Sequence, residues 1–265
     1  MIENKQTQNF LHADDFGMND SISKTILDCI QEGSLNSVSV MMGNSNKYFN
    51  DLKKSGVKIK LHLNITSNPK IYNSKNIELM KNLDFFNVLF LNKNVRSSIL
   101  DEINFQVNDF VEYFEREEIA IDGHHHIQTI PWIYNYLVNL EDFNIKEIRV
   151  SKEKIFLDKM QNLLNKRFYR NLAAVLLLNF ISRGINEVTK ETPEFYGLLY
   201  SGIHNDSTIK KRINKKNNIE ISLHPGLIGK EDKATMHWRD FEYYFTEYRK
   251  IDYLIANSEE LKRFI

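Results

Sequence analysis

The sequence predicts one α/β domain over residues 1–265, built as a parallel (β/α) barrel, on three observations. Short β-rich runs alternate with helical stretches, the pattern of a parallel sheet. About eight such units fill this length, which suits a closed barrel better than an open doubly wound sheet. No Gly-x-Gly-x-x-Gly follows the first strand, which removes the main argument for a dinucleotide fold.

In chain order, an apolar run, Asn9–Ala13, ends in Asp14, Asp15 and the turn residue Gly17. The helical pattern Ser21–Glu32 follows and carries Cys29 on its apolar face, where packing is the expected role. Strands are expected at Asn36–Met42 and Val57–Leu63, then a helix at Ile99–Glu117 and a strand at Ile119–Asp122. Pro131–Leu140 reads as helix, Glu147–Ser151 as strand and Asp158–Arg183 as helix. The strongest apolar run, Leu172–Ile181, is about half the ~20 residues of a membrane helix, so it is expected to be a buried helix or a cap. Strands at Glu194–Leu198 and Asn218–Leu223, a helix at Arg239–Arg249 and an eighth strand at Asp252–Ala256 complete the pattern. The long connections Thr66–Leu100 and Lys152–Thr192 read as βα insertions that cap or line a substrate groove.

Basic and acidic residues balance at 35 each, so no net field points to nucleic acid or an anionic membrane. The densest basic run, Lys210-Lys211-Arg212 with Lys215-Lys216, is expected in a solvated loop. A single cysteine excludes an internal disulfide and fits a reducing cytoplasm. Met1–Gln8 is polar and has no apolar signal-peptide core. A cytoplasmic, soluble protein is the expectation.

The polar residues fall at strand ends. Asp14 and Asp15 end the first strand, His62 the third and His224 the seventh; His124 follows the fourth and Arg149 lies on the fifth. In a barrel these ends meet at one mouth, where catalytic groups gather. Two adjacent aspartates with no Lys or Arg near them in sequence repel, and a divalent cation would remove that penalty. One Asp with two His is a frequent three-ligand set for a catalytic metal. Of the two aspartates, Asp15 is assigned to the metal and Asp14 to a general base, and His224, before a rigid Pro-Gly turn, to a general acid.

Blander readings exist for each residue. The aspartates could be a helix N-cap pair, and His62 a hydrogen-bonded interior histidine. On a strand, His124 and His126 would face the mouth together with His125 turned away, making His126 a group that touches the substrate or supports a ligand from behind. Arg149 would pair with Asp122 or Glu147, or orient a catalytic carboxylate. Trp132 and Trp238 suit sugar stacking but more often pack. His204 and His237 receive no role, and Phe241–Tyr248 is expected to pack on the barrel.

An ordered set of motifs carries a resemblance. Ala13-Asp14-Asp15-Phe16-Gly17, Leu61-His62-Leu63-Asn64, Asp122-Gly123-His124-His125-His126, Pro131, Arg149 and His224-Pro225-Gly226 span almost the whole chain. Weaker echoes are Asp101–Phe114 and Phe195-Tyr196-Gly197. The chain resembles the YdjC-like (ChbG) carbohydrate deacetylases, relatives of the NodB-type polysaccharide deacetylases. The resemblance implies a distorted TIM-like barrel and removal of N-acetyl groups from acetylated amino sugars, such as chito-oligosaccharides. It implies one divalent metal, Mg2+ or Zn2+, on Asp15, His62 and His124, with Asp14 as base and His224 as acid. Asp122, His126 and Arg149 would support the substrate or the ligands. A carbohydrate is the expected partner, with no nucleic acid and no membrane, and related barrels often form homodimers. Three departures stand out: Gln128 in place of a further alternate histidine, His12 where the family commonly has Asn, and the extra His125. Rivals are a metal hydrolase of another amide or ester, and a non-catalytic sugar-binding barrel; the intact Asp14 and His224 count against the second.

Overall fold

The computed structural model describes residues 8–43, 47–66, 83–185, 192–213, 218–230, 232 and 247–264. In chain order these form β1 (Phe10–Phe16), α1 (Asp20–Gln31), β2 (Ser37–Val40), α2 (Phe49–Lys54), β3 (Lys58–Leu63), α3 (Phe85–Leu89) and α4 (Lys93–Phe114). There follow β4 (Ile119–Gly123), α5 (Pro131–Val138), β5 (Ile145–Ile148), α6 (Lys166–Ile181), β6 (Glu194–Tyr196), α7 (Asp206–Ile213), β7 (Ile219–Leu223) and α8 (Glu247–Ala256). The strands pair in the order β5-β4-β3-β2-β1-β7-β6, all parallel. The sheet curls into a half-barrel surrounded by helices, a distorted TIM-like architecture.

Strand alternation sorts the side chains. Leu11, Ala13, Val38, Val40, Ile59, Leu61, Ile221 and Leu223 belong to the apolar core shared with the helices. Burial of each large apolar side chain there contributes roughly 1.5–3 kcal/mol. The alternate residues His12, Ser37, Ser39, Lys60, His62, Glu220 and Ser222 turn inward and are also buried. Register aligns them in layers: His12 opposite Ser37 and Ser222, Ser39 opposite Lys60, and His62 opposite Asp122. The interior of the curled sheet is therefore polar, and its contents must satisfy one another.

Local signals place the helices. Asn19 caps α1, its Oδ1 accepting from the Ile22 N–H at 2.8 Å. The Asp14–Asp15 pair is thus no helix cap. Pro131 at the first turn of α5 presets the helical φ.

Three sequence expectations are corrected. Asp252–Ala256 lies in helix α8 rather than an eighth strand: Asp252, Ile255 and Ala256 are buried at i, i+3 and i+4, a helical period that a five-residue apolar run cannot distinguish from a strand. Among the described residues the sheet has seven strands, with β5 and β6 at its two edges. The long helix expected over Asp158–Arg183 begins only at Lys166, after a 3-10 turn at Met160–Leu164. His125 and His126 do not continue β4. The strand ends at Gly123, and both residues are left-handed, with φ of 53° and 59°. Trp238, His237 and Lys215-Lys216, with most of Arg239–Arg249 and Phe241–Tyr248, lie outside the described residues.

Candidate active site

Two consecutive residues on a regular strand point to opposite faces, so Asp14 and Asp15 can share one site only if the strand is distorted. It is: the β1–β2 register shifts between Ala13 and Phe16, and Asp15 takes φ of 75°. This bulge turns both carboxylates into the mouth. Left-handed backbone is costly for a non-glycine residue, and such strain gathers at functional sites.

Asp15, His62 and His124 offer ligand atoms that all lie within 4.8 Å of one another, and all three are buried. Asp15 Oδ1 is 3.0 Å from His124 Nδ1 and 3.3 Å from His62 Nε2. Behind His62, Nδ1 meets Asp122 Oδ1 at 2.6 Å, the carboxylate–histidine arrangement that orients a metal-binding imidazole. The other ring nitrogen, Nε2, is buried and makes no hydrogen bond. Burial opposes charge on this ring, but Asp122 and Asp15 raise its pKa to about 10.

Asp14 has a different set of partners. Arg149 donates to Oδ2 at 3.1 Å and to Oδ1 at 3.0 Å, and Ser222 and Ser39 donate at 2.8 and 3.2 Å. Burial would push this carboxyl up, but Arg149 and the His12 hydrogen bond hold it well below the usual range. His224 Nε2 stands 3.6 Å from Asp14 Oδ2. Its backbone N–H donates to Asp252 Oδ2 at 2.9 Å, and the same oxygen lies 3.8 Å from the ring Nδ1. Gly197 lets β6 approach this region closely, since a Cβ there would sit 2.4 Å from the Ser222 carbonyl oxygen.

The aspartates have no Lys or Arg near them in sequence, but the fold supplies cationic partners from far along the chain. Arg149 pairs with Asp14, and Arg249, from α8, pairs with Asp15. The case for a metal rests instead on geometry and net charge. Among the described residues, Asp14, Asp15, Asp122, Glu147, Glu220 and Asp252 adjoin Lys58, Lys60, Arg149 and Arg249 in one buried network. Carboxylates outnumber these basic groups by two, an excess that a protonated His62 offsets in part and a divalent cation would offset in full. The residues fit a divalent cation: three donors of the right class, a buried imidazole nitrogen without a hydrogen bond, and an excess of carboxylate charge.

Arg149 contacts Asp122 Oδ2 at 2.7 Å and Glu220 Oε1 at 2.6 Å; Glu147, an expected partner, pairs with Lys60 and Lys58 instead. His126 reaches the site by its left-handed turn, not by strand alternation. Its Nδ1 is 2.9 Å from Ser151 Oγ, and desolvation lowers its pKa to about 3, with Asp14, Arg149 and His224 among its electrostatic neighbours. His125, expected to turn away, stacks on His124 with centroids 4.0 Å apart and meets Thr66 Oγ1 at 2.9 Å. Gln128 donates to the Arg149 carbonyl and Ser151 Oγ. Trp132 packs, donating to the Val88 carbonyl. His204, given no role, is buried beside Asp252.

Sequence reasoning missed Lys60, Glu220, Arg249 and Asp252. For Lys60 and Glu220 a signal existed: strict alternation puts them on the same faces as His62 and Ser222. Arg249 and Asp252 share a helix face at i, i+3, legible only once α8 is read as helix.

The sequence model of the YdjC-like protein family matches residues 10–265. A carbohydrate deacetylase of Danio rerio is 30% identical over 152 residues, covering 53% of this chain and 49% of that protein, so the match spans about half the relative's length. A solved structure from Enterococcus faecalis V583, described as a candidate cellobiose-phosphate cleavage protein, superposes with a TM-score of 0.58 at 16% identity. That superposition covers 98% of this chain and 94% of the other, and supports the fold.

Proposed function

We propose, for a chain that belongs to the YdjC-like protein family, that it is a metal-dependent deacetylase acting on N-acetylated amino sugars of the chito-oligosaccharide kind. The observation that carries this reading is one buried mouth holding the Asp15–His62–His124 donor set beside Asp14 and His224. The kinship to a carbohydrate deacetylase supports the substrate class.

A divalent cation, Zn2+ or Mg2+, when held by Asp15, His62 and His124, would acidify water and polarise the acetyl carbonyl. Asp122 fixes the His62 ring so that Nε2 faces that position. Asp14, kept ionised by Arg149, takes a proton from the attacking water. His224 gives a proton to the departing amine, with Asp252 anchoring its backbone. His126 lines the approach and, held neutral by burial, offers a hydrogen bond to a sugar hydroxyl. The products are acetate and a free amino sugar. Among the described residues no helix is long and apolar enough to cross a membrane, and the free, buried Cys29 suits a reducing cytoplasm.

The test is to incubate metal-loaded protein with N-acetylated chito-oligosaccharides and assay acetate. Release that depends on added metal and is lost in Asp14→Asn is expected. Release unaffected by Asp14→Asn would refute the base. No release from any acetylated sugar would favour another amide or ester substrate.

A further inference from the structure

Resting on that reading and deepening it, we propose that Arg149 fills a second cation position formed by His12, Asp14 and Asp122. It thereby limits the centre to one ion and keeps Asp14 a base rather than a metal ligand. These three residues are buried and offer ligand atoms within 4.8 Å of one another, as the neighbouring Asp15–His62–His124 set does. His12 Nδ1 lies 2.7 Å from Ser37 Oγ, which fixes the ring. Its Nε2 is fully buried and points between the carboxylates, 3.0 Å from Asp14 Oδ1 and 3.3 Å from Asp122 Oδ2. One imidazole nitrogen and two carboxylate oxygens form a donor set suited to a divalent ion.

The guanidinium already sits on those oxygens. Arg149 Nη2 is 3.0 Å from Asp14 Oδ1 and 2.7 Å from Asp122 Oδ2. Nε is tied to Glu220 Oε1 at 2.6 Å, and Lys60 grips both Glu220 and Glu147, so the side chain is anchored from behind. A permanently charged group at hydrogen-bond distance repels a second cation strongly in a buried site. Without it, both aspartates would be drawn into coordination and Asp14 would lose the lone pair that accepts the proton.

The experiment measures zinc stoichiometry by equilibrium dialysis of chelator-stripped protein, with circular dichroism to verify the fold. Wild type is expected to bind one Zn2+ per chain, Arg149→Met two, and Arg149→Met combined with His12→Ala one again. Arg149→Gln, which keeps a polar head for Glu220, runs in parallel and should also bind two; Arg149→Lys, which keeps the charge, should bind one. Two ions in wild type, one in both neutral variants, or two in the double variant would each overturn the proposal; the wild-type measurement needs no variant to fold. A wild type that binds no zinc sinks the functional reading itself, whereas one ion in wild type and in Arg149→Met sinks only this inference.

Discussion

Replacing Asp122 by Asn leaves the side chain's shape and removes its charge from behind the metal-ligand position. Asp122 is fully buried, with Oδ1 2.6 Å from His62 Nδ1 and Oδ2 2.7 Å from Arg149 Nη2. An Asn carbonyl can still accept from His62, but its amide then faces Arg149 as donor against donor. The imidazole loses basicity and its fixed tautomer. Changes of this kind typically weaken metal affinity by about 10- to 100-fold, which is about 1.4–2.7 kcal/mol. Isothermal titration with Zn2+ in a competing chelator measures it, with the melting temperature of the stripped protein as a fold control. A folded Asp122→Asn protein whose Zn2+ affinity stays within twofold of wild type would show that Asp122 does not support His62, and the assigned ligand set would fall with it.

Four further outcomes are expected. Asp14→Asn should lower kcat for acetate release by about 10²–10⁴-fold with KM little changed, the range for a lost general base; a KM effect alone would mark Asp14 as a binding residue. Arg249→Met leaves the buried Asp15 carboxylate without its cation, which should destabilise the stripped protein by about 3–5 kcal/mol; Zn2+ should recover part of that loss, and a melt indifferent to zinc contradicts the placement of Asp15. Glu153 is buried and caps the Leu198 and Leu199 N–H groups at 2.9 Å, yet burial raises its pKa from 4.5 to about 7. Because the folded value lies above the unfolded one, its stabilisation is present below about pH 4.5 and is lost as pH rises through about 7, amounting to about 3 kcal/mol. Glu153→Gln should therefore flatten the fall in melting temperature between pH 5 and 8, by about 6 °C for a chain of this size, and an unchanged slope rejects the shift. His224→Gln should lower kcat most on substrates with the poorest leaving amines; a uniform loss across leaving groups argues against its role as acid.

Parallel strands with strong β runs were legible because their outward faces are apolar and their lengths fit the sheet. The convergence of Asp14, Asp15, His62, His124 and His224 followed from strand ends alone. Three things were not legible. The bulge at Asp14–Asp15 is a backbone event with no residue signature other than the pair itself. The left-handed turn at His125 and His126 defeats alternation, because neither residue is Gly or Asn. The counter-charges on the aspartates come from β5 and α8, far along the chain, and only the folded sheet shows that Arg149 and Arg249 reach them.

The most direct test of the central claim is an anomalous-difference map of the zinc-loaded protein at the zinc edge. One peak is predicted, within about 2.0–2.3 Å of donor atoms of Asp15, His62 and His124, with Asp14 outside the coordination sphere and still bonded to Arg149. A peak elsewhere, or one that includes Asp14 as a ligand, would contradict the account.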